Sequence, residues 1–251
     1  MKETIIKTDK LCKSFKSGSI VQNVLKNLDI EIYQGDFTVI MGPSGCGKST
    51  LLYALSGMDT PTGGEVNFGG VDIAKFNQDK LAVFRRKNCG FVFQQIYLVD
   101  SLSITDNILS SGFLVNNNKK QVKEAAESLL KAVGLEENLW HKLPNQISGG
   151  EAQRVGIVRA LINSPKILFA DEPTGALNST TGKYVLDVFS DFNNKGQSIV
   201  MVTHDIKSAL RGNRILFMRD GVIDGELNLG AYDESASRLD KMMAFLQNRG
   251  F

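Results

Sequence analysis

The apolar positions of this chain follow two rhythms, short uninterrupted runs and longer stretches of helical period. Ile5-Ile6, Leu28 to Tyr33 and Phe37 to Met41 are short β-type runs, and Gln34-Gly35-Asp36 supplies a turn between the last two. Val66 to Val71 offers a further strand with a Gly69-Gly70 turn, and Gly90-Phe91-Val92-Phe93-Gln94 reads as a strand ending in a glutamine. In the middle of the chain the period changes. Val122, Ala125, Ala126, Leu129, Leu130 and Val133 recur at i, i+3, i+4, i+7, i+8 and i+11, which predicts a helix over Lys120 to Val133 that Gly134 stops. Lys123, Glu127 and Lys131 share its solvated side at i, i+4 spacing. One apolar stripe is what any core-facing helix needs, so this face is read as packing rather than binding.

Strands then return. Ile167-Leu168-Phe169-Ala170 and Ile199-Val200-Met201-Val202 are fully apolar and of strand length. Asp220-Gly221 sits between apolar stretches in Arg214 to Ile223, a hairpin signature. Leu239, Met242, Met243 and Leu246 recur at helical spacing near the end. Apolar strands bounded by helices argue for an α/β fold with a parallel sheet covered on both faces.

Composition narrows the choice of partners. The net charge of +2 is too small to argue for nucleic acid or an anionic membrane surface, although Arg85-Arg86-Lys87 is a local basic patch. Cys12, Cys46 and Cys89 show no paired framework and no metal spacing, which fits a reducing cytosol. Met1 to Ile5 has no signal-peptide core, and no run approaches the roughly 18 apolar residues of a membrane span. Any membrane role is therefore expected to come through another chain.

The chemistry is concentrated in a few places. Gly42-Pro43-Ser44-Gly45-Cys46-Gly47-Lys48-Ser49 fits G-x-x-x-x-G-K-[ST] and lies between the Phe37 to Met41 strand and a helix starting around Thr50 and ending at Gly57. Glycines let the backbone wrap and point N–H groups inward, and the helix N-terminus adds positive charge where phosphates sit. Lys48 can reach the β- and γ-phosphates, and the Ser49 hydroxyl can ligate Mg2+. Cys46 is an alkylation-sensitive thiol or, as favoured, a small filler residue. Asp171 and Glu172 end the Ile167 to Ala170 strand, at the carboxyl edge where parallel sheets bind ligands. Asp171 can hold Mg2+ through water, and Glu172 can polarise the water that attacks the γ-phosphate. Ser148 and Glu151 have capping-box spacing before Val155, Val158 and Ile162, so a well-capped helix accounts for them. Gly149-Gly150 directly after the cap is unfavourable for a first turn and suits close approach to a phosphate.

Together these stretches resemble the ABC ATPases over nearly the whole length. Gly42 to Ser49 is similar to the Walker A motif, Ile147 to Glu151 to the signature motif, which usually ends in glutamine, and Ile167 to Glu172 to Walker B with its catalytic glutamate. The resemblance assigns Gln94 to the Q-loop, which contacts Mg2+ and senses the transporter. It makes His204 the switch histidine and Phe15 the aromatic residue that stacks on adenine. One stretch departs from the pattern: the usual Ser-Ala-Leu-Asp of the D-loop is Gly175-Ala176-Leu177-Asn178, which puts communication between two nucleotide sites in doubt.

The resemblance implies a P-loop ABC-ATPase fold with a mixed central sheet, an antiparallel β part and a helical subdomain. The whole chain would be a single ATPase domain. Its core and β part would take about 1–90 and 165–230, its helical subdomain about 95–164, and its C-terminal helix 231–251. It also implies ATP and Mg2+ as cofactors and a head-to-tail homodimer around two ATP. In that dimer the Walker A residues of one copy, Gly42, Ser44, Gly45, Cys46, Gly47, Lys48, Ser49 and Thr50, face Ser148, Gly149, Gly150 and Glu151 of the other. Glu172, His204, Lys48 and Gln94 would carry catalysis, and Ser49, Gln94 and Asp171 would hold the metal.

Within the superfamily the chain is most similar to the macrolide-export, lipoprotein-release and bacitracin-type peptide-resistance group, through Ile40 to Gly45, Gly90 to Gln95 and Leu143 to Gly150. The tail from Asp233 to Phe251 looks like that of the peptide-resistance branch. This implies a permease partner with an extracytoplasmic region, docking at Tyr97 to Phe113, and a position on the inner face of the membrane. The expected function is to power export of, or resistance to, an antimicrobial peptide, or the handling of a lipid-linked compound. ATP-driven signalling or envelope remodelling without cargo is the alternative. A soluble ABC ATPase of DNA repair or translation fits less well, because the chain has one motif set and no coiled-coil insert.

Overall fold

The computed structural model describes residues 2–250. The chain opens with β1 (Thr4–Ser17), β2 (Ile20–Leu28), β3 (Glu31–Tyr33) and β4 (Phe37–Met41), followed by α1 (Lys48–Ser56), β5 (Gly63–Phe68), β6 (Val71–Asp72) and α2 (Gln78–Asn88). Next come β7 (Cys89–Phe93), α3 (Ile104–Gly112), α4 (Lys119–Ala132), α5 (Gly149–Leu161), β8 (Ile167–Asp171) and α6 (Ser179–Asn194). It closes with β9 (Ser198–Val202), α7 (Ile206–Ala209), β10 (Arg214–Arg219), β11 (Val222–Asn228) and α8 (Ala236–Gln247). These elements form two compact units, one running up to Leu81 and resuming at Asn193, the other spanning Ala82 to Phe192.

The first unit holds two kinds of sheet. An antiparallel layer runs β2-β1-β5-β6, with β3 also paired to β1. A second layer places β4 between β10 and β9, parallel to both, with β11 antiparallel on β10. All five residues of β4 and of β9 are buried, as expected for strands covered on both faces. The hairpin forms as read, with Asp220 at φ 48° and Gly221 at φ 81° at its tip.

Two readings change here. Leu28 to Tyr33 is not one strand: Leu28 closes β2 and β3 starts at Glu31. The Thr8 hydroxyl sits in the break, donating to the Leu28 carbonyl at 2.7 Å and accepting from the Ile30 amide at 3.0 Å. The last helix also turns a different face inward. Arg238, Met242, Phe245 and Leu246 are buried, whereas Leu239 and Met243 are exposed. Arg238 is drawn in because its guanidinium donates to the main-chain carbonyls of Leu210, Gly212, Leu229, Gly230 and Ala231.

In the second unit β7 and β8 pair in parallel, from Cys89 opposite Ile167 to Phe93 opposite Asp171. Helices α3, α4, α5 and α6 accompany them. Helix α4 buries Val122, Ala126 and Leu130, the stripe that the spacing predicts. On its outer side Lys123 and Glu127 pair at 3.9 Å, but Lys131 turns to Glu137 at 2.9 Å and lies over the Trp140 ring. A partner just past the helix end outcompetes the i, i+4 pairing expected for that lysine.

Candidate functional site

The residues singled out in the sequence fall into both units. In the first, the loop between β4 and α1 is shaped by glycines at positive φ: Gly42 at 151°, Gly45 at 77° and Gly47 at 105°. Gly42 lies so close to β10 that a Cβ would overlap the Met218 carbonyl oxygen. Helix α1 starts at Lys48 behind its N-cap Gly47, which has no side chain to cap it. A helix start of this kind leaves N–H donors and positive partial charge for an anion. The buried Lys48 amino group folds back on the loop, donating to the carbonyls of Gly42 at 2.9 Å and Pro43 at 2.8 Å. Ser44 and Gly45 are exposed, Ser49 and Thr50 half-buried. Cys46 is buried, and burial pushes its thiol above the ordinary range although Lys48 opposes this. That supports the filler reading of Cys46 over the reactive one.

Two more expected residues belong to this unit. Phe15 on β1 is exposed, with the Lys13 amino group 5.0 Å from its ring centroid. Lys13 is itself fixed by Asp59 at 2.6 Å and the Thr60 carbonyl at 2.7 Å, so one ring face of Phe15 is braced. His204 is exposed just beyond β9, directly before Asp205, which caps α7 by accepting from the Ser208 amide at 2.7 Å.

In the second unit, Gln94 follows the last residue of β7 and is exposed, while Asp171 ends β8 and Glu172 comes next, both half-buried. Glu172 takes φ 46°, a left-handed backbone that a glutamate rarely adopts. Such outliers are held where the surroundings over-determine them. Gly175 leaves room for Gln94, since a Cβ there would lie 2.9 Å from the glutamine Nε2. Asn178 caps α6, accepting from the Thr181 amide at 2.9 Å, a task open equally to the aspartate it replaces.

Helix α5 has the complete capping box expected. The Ser148 hydroxyl accepts from the Glu151 amide at 3.3 Å, and the Glu151 carboxylate accepts from the Ser148 amide at 2.7 Å and its hydroxyl at 2.8 Å. Those bonds, the backbone one first, hold the Glu151 carboxyl below its usual range. The two following glycines separate in meaning. A Cβ on Gly150 would overlap Thr181 of α6, so packing within the chain explains that glycine. Gly149 is exposed, with only ordinary contact to Leu177 at 3.6 Å, so it alone keeps the reading of a backbone left open for a ligand.

The donor set suits Mg2+: a hydroxyl at Ser49, an amide oxygen at Gln94 and a carboxylate at Asp171 are hard oxygen ligands of the kind Mg2+ shares with phosphates. Among the described residues, no group of three or more His, Cys, Asp or Glu side chains gathers as a metal site, and no helix is long and apolar enough to cross a membrane. Three residues escaped sequence reading: Lys13 behind Phe15, and Gln153 and Arg159 of α5. Their only signal was position, since a polar Gln153 falls among the apolar residues of α5 and is buried.

Comparison with known proteins adds the following. The family described as ABC transporter matches residues 25–175. An uncharacterized ABC transporter ATP-binding protein of Methanocaldococcus jannaschii is 43% identical over 219 residues, 87% of this chain and 97% of that protein. The macrolide export ATP-binding/permease protein MacB of Wolinella succinogenes is 39% identical over 223 residues, 89% of this chain but 34% of MacB, so the chain spans about a third of that relative. Among solved structures, an ATP-binding cassette of Methanocaldococcus jannaschii, dimeric and bound to ADP and Pi in a post-hydrolysis state, superposes with a TM-score of 0.81 at 37% identity. It covers 90% of this chain and 100% of its own.

Proposed function

The chain belongs to the ABC transporter family, and on that premise we propose that it is the ATP-binding, ATP-hydrolysing subunit that powers a membrane permease. The observation that carries the proposal is the start of α1, where a glycine-wrapped loop ends in a helix without a side-chain cap and with Lys48 inside it. A triphosphate meets the positive end of that helix and the wrapped loop's N–H groups, and Lys48 exchanges two neutral carbonyls for phosphate oxygens, which are stronger partners.

The remaining roles follow from chemistry. Phe15, braced by Lys13, offers its open face to adenine. Mg2+, when bound, neutralises charge on the β- and γ-phosphates, and Ser49, Gln94 and Asp171 supply oxygens to hold it. Glu172 polarises a water that attacks the γ-phosphorus, the bond to the bridging oxygen breaks, and ADP and phosphate result. His204 donates a hydrogen bond to the γ-phosphate. The dimeric relative with ADP and Pi supports a dimer here, with Ser148 and Gly149 of one copy closing over the nucleotide of the other. The permease half of MacB supports a permease partner. Tyr97, Val99 and Phe113 expose apolar surface in the stretch assigned to its docking. An extracytoplasmic permease region, a place on the inner membrane face and a peptide-antibiotic or lipid-linked cargo complete the proposal.

The test uses Glu172→Gln. We expect it to retain ATP binding and to accumulate a nucleotide-dependent dimer, with turnover reduced by about 100-fold or more, the scale on which lost groups of a catalytic set are felt. A variant that hydrolyses ATP as fast as the parent removes Glu172 from catalysis. Substrate accumulation in vesicles carrying the co-purified permease separates transport from signalling.

A further inference from the structure

Three carbonyls flanking Gln94 are held by side chains of one helix. Gln153, buried in α5, donates through Nε2 to the Phe93 carbonyl at 2.9 Å. Arg159 donates through Nη2 to Ile96 and through Nη1 to Tyr97, both at 2.6 Å. Between them Gly156 brings the helix backbone against the same loop, since a Cβ there would stand 3.1 Å from the Ile96 Cγ2. Gln153, Gly156 and Arg159 follow one another at i+3 steps, along one ridge of the helix surface.

The arrangement is specific in its chemistry. A guanidinium presents a rigid fork of donors, and here both arms end on consecutive main-chain oxygens of a segment with no regular structure of its own. Tyr97 takes φ 51°, a left-handed bend that needs outside support in a tyrosine. Burial pulls the Arg159 pKa down, so the charged fork is kept there at a cost that the two carbonyl bonds offset. On the other side of Gln94, Gly175 leaves space for the glutamine amide. Gln94 is thus held through its backbone on both flanks while its side chain stays exposed.

We propose that Gln153 and Arg159 are positioning residues for Gln94, tying its flanks to α5 so that the Gln94 amide and the Ser148–Gly150 helix start move as one piece. The geometry alone gives the tie. Its consequence rests on the function proposed above: a permease pressing on Tyr97 then shifts the metal-side glutamine and the partner-facing helix start together. Without the fork, the Gln94 loop yields and α5 stays where it was.

The experiment uses the full chain as parent, Arg159→Ala and Arg159→Lys. Ala, Lys and Arg have similar helix propensities, so α5 itself is not weakened. Hydrogen exchange over residues 94–99 reads the tie directly, and Mg2+ titration of ATP binding reads its consequence. In Arg159→Ala we expect faster exchange over 94–99 with α3 unchanged. The half-saturating Mg2+ concentration should rise about tenfold, the scale seen when partners that orient a metal ligand are removed. ATP affinity in EDTA should stay within about twofold of the parent, because the α1 loop is untouched. Arg159→Lys, whose ammonium reaches one carbonyl at a time, should fall between the two. Unchanged exchange and unchanged Mg2+ dependence in Arg159→Ala overturn the proposal. Should that variant fail to fold, Arg159→Lys decides alone, and parent-like values in both readouts overturn it. A parent that binds no ATP at all sinks the functional reading instead, and the exchange arm still tests the tie.

Discussion

Helix α1 begins behind Gly47, an N-cap without a capping side chain, whereas α5 begins behind Ser148 with a complete capping box. Both starts follow or contain glycines, and both resemble phosphate-binding motifs, yet their backbone chemistry is opposite. At α1 the N-cap is a glycine in the left-handed region with no capping side chain, and a buried lysine stands beside it. At α5 the chain meets its own needs: the Ser148 hydroxyl takes one amide, and Glu151 reaches back to the Ser148 amide and hydroxyl. The comparison separates a site that binds from a surface that closes. A nucleotide at α1 gains a helix N-terminus and a lysine as partners. A nucleotide brought to α5 by a second copy meets a capped helix start, open only at Gly149, that also carries a negative charge.

Removing the ligand side of this contrast gives the largest expected effect. Lys48→Ala takes away the one cation inside the loop and with it charge-assisted hydrogen bonds worth about 1.5–3 kcal/mol, so ATP affinity should fall by about 10–100-fold. Melting temperature without nucleotide should fall by a few degrees at most, because the variant gives up two bonds from Lys48 to the buried Gly42 and half-buried Pro43 carbonyls but also removes a buried charge. Calorimetric titration checks the first statement and thermal unfolding the second. A Lys48→Ala protein that binds ATP like the parent would mean that the uncapped helix start is a packing feature.

Ser148→Ala attacks the other side and should do the reverse. It removes an N-cap whose loss costs about 1 kcal/mol, equivalent to about 2–4 °C in Tm for a protein of this size. ATP affinity of the monomer should be unaltered, while the ATP concentration needed for dimerisation should rise. If monomer affinity falls with Ser148→Ala, the division between binding and closing surfaces is wrong.

What could be read from the chain follows the same line. The loop from Gly42 to Ser49, the Asp220-Gly221 hairpin and the Ser148 cap were legible because each is local, a few residues whose side chains or missing side chains dictate the backbone. Strands β4, β8 and β9 were legible because burial on both faces leaves them nearly continuous apolar runs, broken only by Thr38 within β4, Asp171 at the end of β8 and Ser198 at the start of β9. The full lengths of β1 and β2 were not: in Ile20–Leu28 the apolar residues fall in adjacent pairs, Ile20-Val21 and Val24-Leu25, and the first pair is exposed, so no alternation is visible. Nor was the reason for Gly150, which depends on Thr181 packing against it from α6. The hold on Gln94 was the least legible, since Gln153 and Arg159 act on carbonyls about sixty positions earlier, at sequence separations of 60 to 63. No periodicity carries information over that distance.

Glu151 offers the smallest effect and the finest distinction, because stability and association should move in opposite directions. Glu151→Gln keeps an oxygen for the Ser148 amide, so the cap persists. It loses a negative charge at a helix N-terminus, worth about 0.3–1 kcal/mol, so Tm at neutral pH should drop slightly. The sign with pH is fixed by the lowered pKa of this carboxyl. Its stabilising contribution is present above the pKa of the unfolded chain and is lost as pH falls through the lower, folded value. The Tm difference between parent and variant should therefore be full at neutral pH and close in acid, below the usual carboxylate range. Dimerisation should behave otherwise. The neutral side chain no longer repels a triphosphate held by the second copy, so less ATP should be needed, by about three- to tenfold for a partly screened charge pair. Light scattering against ATP concentration, with the Glu172→Gln background to block turnover, measures that threshold. An unchanged threshold would mean that α5 does not face nucleotide in the dimer, and the contrast between the two helix starts would then concern stability alone.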